Sequence, residues 1–301
     1  MMVGMFVIRL DGSPKYAMMC NVLSSLLNIA LDWYFVFPLH MGIFGAAIAT
    51  SISEAVAVIG TLFYMAFLSR NVHWYKPKFT STSIRLTLRN VGFMAKLGLS
   101  TFIGETAIVC MLIVGNFVFI KYLYEDGVAA YSVACYLFPL VFMFGNSIAQ
   151  SSLPIVSYNY GRKNEERIRK AFRLTVGLAV VLGLLITVFC LIESDTLISL
   201  FLNEGTTAYQ VGCKGFPYFA LGFLFFTLNV VFIGFYQSIE QAKRATLWML
   251  LRGVFFVIPS FILLPMMLGD KGLWLAVPLS EMLTFGEILL SLVRDRVKTS
   301  K

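Results

Sequence analysis

Eight predominantly apolar stretches of 22 to 30 residues leave this chain one kind of solvent. They cover 16–38, 44–68, 92–120, 127–156, 170–192, 211–236, 245–267 and 272–293. At 1.5 Å per residue, each is long enough to cross ~30 Å of hydrocarbon as a helix. A barrel would need alternating segments of ~10 residues, and these runs are longer and do not alternate. Composition agrees: 58% of the 301 residues are hydrophobic and 13% charged, against ~45–50% and ~25% in soluble domains. Met1–Ile8 is also apolar and reads as the tail of one more helix ending at Arg9. The expected fold class is an all-α polytopic membrane protein with about eight transmembrane helices plus a helix remnant.

Charge gives the topology. Of the 24 Lys and Arg residues, 20 fall in 9–15, 69–96, 157–173, 237–246 and 294–301. The opposite loops carry only Lys121 and Lys271. This asymmetry places the basic loops and both chain ends in the cytoplasm of a cell whose inner (plasma) membrane holds the protein. The net charge of +8 is therefore a topology signal, and no basic stripe interleaved with aromatics suggests nucleic acid. Met1–Ile8 is too short for a cleavable signal peptide. The five cysteines and two histidines have no metal-ligand or disulfide spacing. No nucleophile–base constellation or nucleotide fingerprint occurs, so no enzyme and no bound cofactor is expected.

The polar stretch 70–91 reads as a cytoplasmic amphipathic linker, with Ser83 the expected cap of a short helix on the inner leaflet. It divides the chain into 1–69, the last two helices of an N-terminal lobe, and 92–301, a complete six-helix lobe. An internal repeat supports two related lobes. Gly42, Gly45, Ala49, Ser53 and Glu54 recur as Gly269, Gly272, Ala276, Ser280 and Glu281 at a constant offset of 227, and Pro38 matches Pro265. Same-orientation repeats are a common plan of secondary transporters. The offset puts the start of a full first lobe well before Met1, so the chain is expected to be a fragment or a late-start reading of a longer gene.

The ordered motifs resemble the multidrug and toxic compound extrusion (MATE) family. Arg9-x-Asp11-Gly12-x-Pro14 resembles the turn before its fifth helix, and Asn28-Ile-Ala-Leu-Asp32 and Gly45-Ala-Ala-x-Ala49-Thr50 its fifth and sixth helices. Lys96-Leu-Gly98-x-Ser100-x-Phe102 and Val128-Ala-Ala-Tyr131 resemble the seventh and eighth. Pro154-x5-Tyr160-Gly161-x2-Asn164-x2-Arg167 resembles the loop that follows, and Tyr236-Gln237 and Arg252-x6-Pro259 the tenth and eleventh helices. The resemblance implies a MATE-type two-lobe transporter with a partial first lobe here. It also implies export of drugs or organic cations in exchange for H⁺ or Na⁺.

Charged residues inside spans are costly, ~2.5–3.5 kcal/mol each on insertion scales, and mark function by default. Asn28 and Asp32 are spaced i, i+4 on one helix face and suit a proton or hard cation. The resemblance adds Thr50 to that cation-coupling set, with a further acid upstream of Met1. Glu105 is the second coupling candidate, sharing a face with Asn116. Glu54 and Glu281 are repeat-related, and Arg252 is expected to neutralise Glu281 or Glu105. Asn116, Phe138, Met143, Phe226, Arg252 and Glu281 are the expected cavity residues, since π faces and thioethers suit flat lipophilic cations. Pro139, Pro259 and Pro278 are expected to mark kinks.

The expected function is secondary antiport of a small-molecule drug or organic cation, by a monomer in the lipid bilayer with no nucleic-acid partner and no resident metal. A lipid-linked-oligosaccharide flippase is the alternative, disfavoured by the scarcity of cavity cations. A non-transporting remnant is the other.

Overall fold

The computed structural model describes residues 2–69 and 79–299, and every regular element among them is a helix. These are α1 (Met2–Leu10), α2 (Pro14–Val36), α3 (Gly42–Phe63), α4 (Ser81–Gly161), α5 (Glu165–Ile192), α6 (Ser194–Ser199), α7 (Thr207–Ala220), α8 (Gly222–Ser238), α9 (Ala242–Leu250), α10 (Val257–Leu268) and α11 (Asp270–Thr299). One π-turn, Tyr64–Leu68, continues α3, and another, Leu251–Phe255, joins α9 to α10. Tyr124, with φ 55° and ψ −153°, breaks α4 into α4a (81–123) and α4b (125–161). With that break, and with α7–α8 and α9–α10 each taken as one span, the described residues contain eight candidate spans at the eight apolar stretches.

The burial pattern is that of helices in lipid. Along α5 the inward stripe is small: Thr175, Ala179, Gly183, Thr187 and Cys190. Its outward stripe is large and apolar, with Leu178, Val181, Leu185 and Phe189 exposed. Small residues let helix backbones approach, while large apolar ones cost nothing against hydrocarbon. Water would reverse that preference.

The chain forms two compact units, Met1–Ile84 and Arg85–Lys301, divided within the expected linker. Residues 70–78 of that linker lie outside the described residues. The helix after it is capped by Thr80 and not by Ser83: the Ser83 amide donates to Thr80 Oγ1 at 3.2 Å. The reason is that α4 starts at Ser81, so Ser83 already lies in its first turn, where amides lack intrahelical acceptors.

In the first unit α3 buries Gly45, Ala49, Ser53, Ala57 and Thr61, one residue per turn, with Gly45 and Ser53 against α2 and Thr61 against Gly4 of α1. Ser24 Oγ donates across the seam to Ser53 O at 2.8 Å. The motif residue Asp11 is buried, and its Oδ2 accepts from the Tyr64 hydroxyl at 2.9 Å and Ser69 Oγ at 3.0 Å. The turn after α1 is thereby tied to the end of α3.

The repeat has a backbone cause. Gly42 (φ 54°) and Gly269 (φ 60°) both adopt the left-handed conformation, which a side chain disfavours. Three residues on, a Cβ at Gly45 would lie 2.9 Å from Phe35 Cβ, and one at Gly272 would lie 2.1 Å from Leu264 O. Each copy is a tight turn that folds a helix back against its predecessor. The repeat-related acids differ in setting: Glu54 is exposed and Glu281 buried.

The second unit is built around an aromatic core that includes Phe119, Tyr131, Phe138, Phe219, Phe226 and Trp274. Phe119 stacks on Tyr131 at 4.4 Å, and the Tyr131 hydroxyl donates to Met111 O at 3.2 Å. A bend of 42° falls between α7 and α8, four residues after Pro217, a proline the sequence reading did not single out. Pro139 lies within α4b and Pro278 within α11. Pro259 occupies the first turn of α10, where a missing N–H breaks no helical bond.

Candidate functional site

The π-turn between α9 and α10 organises the second unit's interior. Widening a helix turn exposes backbone groups, and such bulges recur at functional sites. Here Ser280 Oγ donates to the Arg252 carbonyl at 2.7 Å. The next residue, Gly253, abuts α4a so closely that an added Cβ would lie 1.9 Å from Ala107 Cβ. That approach brings Arg252 and Glu105, half a turn before Ala107, to one cavity.

Arg252 and Glu281 form a buried ion pair, their side chains 8% and 5% exposed. Both Nε and Nη2 donate to Glu281 Oε1, at 3.1 and 2.7 Å. Asn229 Nδ2 donates to Oε2 at 2.7 Å and to the Glu281 carbonyl at 2.9 Å. The guanidinium lies over Phe226, 4.4 Å from the ring centroid, and Phe226 packs edge-on against Phe138 at 4.3 Å. Removing one member of such a pair strands the other charge, a loss of about 3–5 kcal/mol. Asn229 Oδ1 is buried without a hydrogen-bond partner.

The cavity encloses about 100 Å³ and is lined by Thr101, Glu105, Asn146, Gln150, Gln237 and Arg252 among others. Drug-sized ligands need roughly 300 Å³ or more, so a whole ligand needs the adjoining cleft as well as this cavity. Glu105 is exposed on this cavity and makes no hydrogen bond or ion pair among the described residues. One paired cation against two carboxylates leaves the lining with a net charge of −1. An adjoining cleft of about 420 Å³ shares Thr101, Leu153 and Gln237 with it and reaches Tyr160, Gly161 and Glu240. Gln237 Nε2 donates to Thr101 Oγ1 at 3.4 Å where the two meet.

The remaining expected residues divide. Phe138 lines the cavity, Phe226 backs it under Arg252, and Glu281 lines it beside Arg252. Asn116 and Met143 are exposed and lie outside the lining. In the first unit, Asn28 Nδ2 donates to Thr50 Oγ1 at 3.5 Å, so these two face each other across the α2–α3 seam. Asp32, one turn along from Asn28, has Oδ1 buried without a partner.

Sequence reasoning did not single out Asn229, Asn146 or Gln150. The signal was present: Asn229 interrupts the apolar run 221–235, and Asn146 and Gln150 are spaced i, i+4 on one face.

Known proteins share this architecture. The MatE family model matches residues 101–262. Multidrug export protein MepA of Staphylococcus saprophyticus is 24% identical over 97% of this chain and 63% of its own length. That of Staphylococcus haemolyticus is 26% identical over 88% and 56% respectively. The chain thus spans less than two thirds of the length of these curated relatives. A MOP-superfamily transporter from Pyrococcus furiosus superposes with a TM-score of 0.83 at 19% identity, covering 99% of this chain and 65% of that one. A multidrug resistance MATE family transporter in an outward-facing conformation superposes with a TM-score of 0.84 at 22% identity and the same coverages. These two likenesses establish the fold. The family match runs through more than half of the chain, from the membrane part of α4 into α10, and makes this protein a member of the MatE family.

Proposed function

We propose that this chain contributes to secondary antiport of drug-like organic cations against H⁺ or Na⁺ across the plasma membrane, with both chain ends cytoplasmic and the protein monomeric. The observation that carries the reading is Glu105: an acid without a partner among the described residues, on a cavity backed by aromatic rings, in the otherwise uncharged stretch 97–120. Arg252 and Glu281 neutralise each other, so Glu105 is the cavity's standing attraction for a cation. The MepA relatives are multidrug export proteins, and that role fits a cavity of this charge.

In the first unit Asp32, Asn28 and Thr50 offer a carboxylate, an amide and a hydroxyl on facing helices. The unpartnered Asp32 oxygen suits a coupling H⁺ or Na⁺. Filling carboxylates from the outer side would bias the transporter between access states by differential affinity. A pyrophosphate-linked substrate, as for a flippase, would need several free cations. The cavity lining offers Arg252, already bound to Glu281.

The test is ethidium binding by the detergent-purified chain, followed by fluorescence. Glu105→Gln should weaken binding at least tenfold while leaving the elution profile unchanged. Unaltered affinity in a folded Glu105→Gln protein would sink the reading.

A further inference from the structure

The second unit's cavity holds two carboxylates, Glu105 and Glu281, and one cation that cannot leave, Arg252. The other residues of its lining are neutral; Glu240 lines the adjoining cleft, and Lys243 and Arg244 of α9 do not line the cavity. Helix α8 presents the amides of Asn229 and Gln237, and α4b presents Asn146 and Gln150. Helix α10 carries no ionisable residue, and the ionisable side chains of α7, Lys214 among them, do not line the cavity. Farther along α11, Glu287 lies 3.9 Å from Arg294.

Arg252 lines this cavity together with both acids. Its Nε and Nη2 are both spent on a single oxygen of Glu281, and Nη1 makes no hydrogen bond among the described residues. Arg252 and Glu105 line the same cavity. Space of this size is only about one side-chain head group across.

We propose that Arg252 is a tethered competitor that makes the cavity carry one mobile positive charge at a time, either a proton or a monovalent organic cation. The proposal rests on the reading of Glu105 as the cation's partner. With an organic cation at Glu105 and Arg252 on Glu281, two positive charges meet two carboxylates. A proton that adds to either carboxylate oxygen breaks no covalent bond but leaves three positive charges for two acids. For the buried Arg252–Glu281 pair an unpaired charge is expensive. If Glu281 takes the proton, Arg252 moves its N–H donors to Glu105. If Glu105 takes it, Arg252 stays. In both cases the untethered cation is the one expelled. The exchange is one proton for one monovalent cation and electroneutral within this unit.

Charge counting gives a pattern of variants that a purely structural ion pair does not. The assay is ethidium binding by the purified 301-residue chain between pH 5 and 8, with size exclusion as the check on folding. Glu281→Gln leaves one carboxylate, claimed by Arg252, and ethidium affinity should fall at least tenfold in the folded fraction. Arg252→Gln leaves an acid that absorbs a proton without expelling the ligand, so ethidium should be retained to a pH at least one unit lower. The double variant has one acid and no competitor, and both affinity and proton sensitivity should return to near wild type. The proposal is overturned if folded Glu281→Gln binds within twofold of wild type, or if Arg252→Gln keeps the wild-type pH profile. Should Glu281→Gln fail to fold, the Arg252→Gln profile and the double variant decide. Loss of binding in Glu105→Gln together with an unshifted Arg252→Gln profile would reject the competitor and keep the cation site. Wild-type binding by Glu105→Gln would reject the underlying reading itself.

Discussion

Exchanging a glycine between two helices tests the packing that creates the cavity. In Gly253→Ala the new Cβ would lie 1.9 Å from Ala107 Cβ. Carbon atoms rest at about 3.5–4.0 Å, so the π-turn and α4a must separate by about 2 Å. Overpacking of this kind costs about 1–3 kcal/mol. On the scale of soluble domains of 150–250 residues, a loss of about 2 kcal/mol lowers the melting temperature by ~4–8 °C. Ala107→Gly alone should cost about 1 kcal/mol, the helix-propensity difference. The double variant moves the glycine from one helix to the other and removes the clash, so it should return to within about 1 kcal/mol of wild type. Thermal unfolding in detergent, followed by intrinsic fluorescence, measures all four proteins. A Gly253→Ala protein as stable as wild type, or a double variant no better than Gly253→Ala, refutes the close approach.

Other consequences follow from single contacts. Asp32→Asn should leave expression unchanged and reduce Na⁺- or H⁺-dependent changes in tryptophan fluorescence at least fivefold, because the unpartnered oxygen loses its charge; an undiminished response refutes the assignment. Ser280→Ala removes the donor to the π-turn carbonyl and should cost about 1–3 kcal/mol in detergent unfolding, the penalty of a buried unsatisfied acceptor; no loss means the carbonyl finds another donor. Reporter fusions in 161–173 should be active only as cytoplasmic reporters, since six Lys and Arg lie within 157–173. Reporter activity there outside the cell would invert the topology.

Much of the fold was legible because lipid imposes a simple rule. Apolar runs long enough to cross lipid had to be helices. The repeat was visible because Gly42 and Gly269 need the same left-handed backbone in both copies. The bend after Pro217 was hidden, since a proline's effect depends on where it falls in a helix and on its neighbours. The cap at Thr80 was misplaced by three residues because several adjacent hydroxyl residues suit that role equally well. Among the cavity residues, the partnership of Arg252 with Glu281 rather than Glu105 is set by the π-turn, which periodicity does not reveal. Asn116 shares a helical face with Glu105 by spacing, yet lies beyond the end of the lining.

The most direct measurement is the proton count on ligand binding. Ethidium added to the purified chain in weakly buffered detergent near the midpoint of its pH profile should release up to about one proton per cation bound, and Glu105→Gln should release none. Binding without proton release, or the same release from Glu105→Gln, would contradict a cavity in which protons and organic cations compete for one acid.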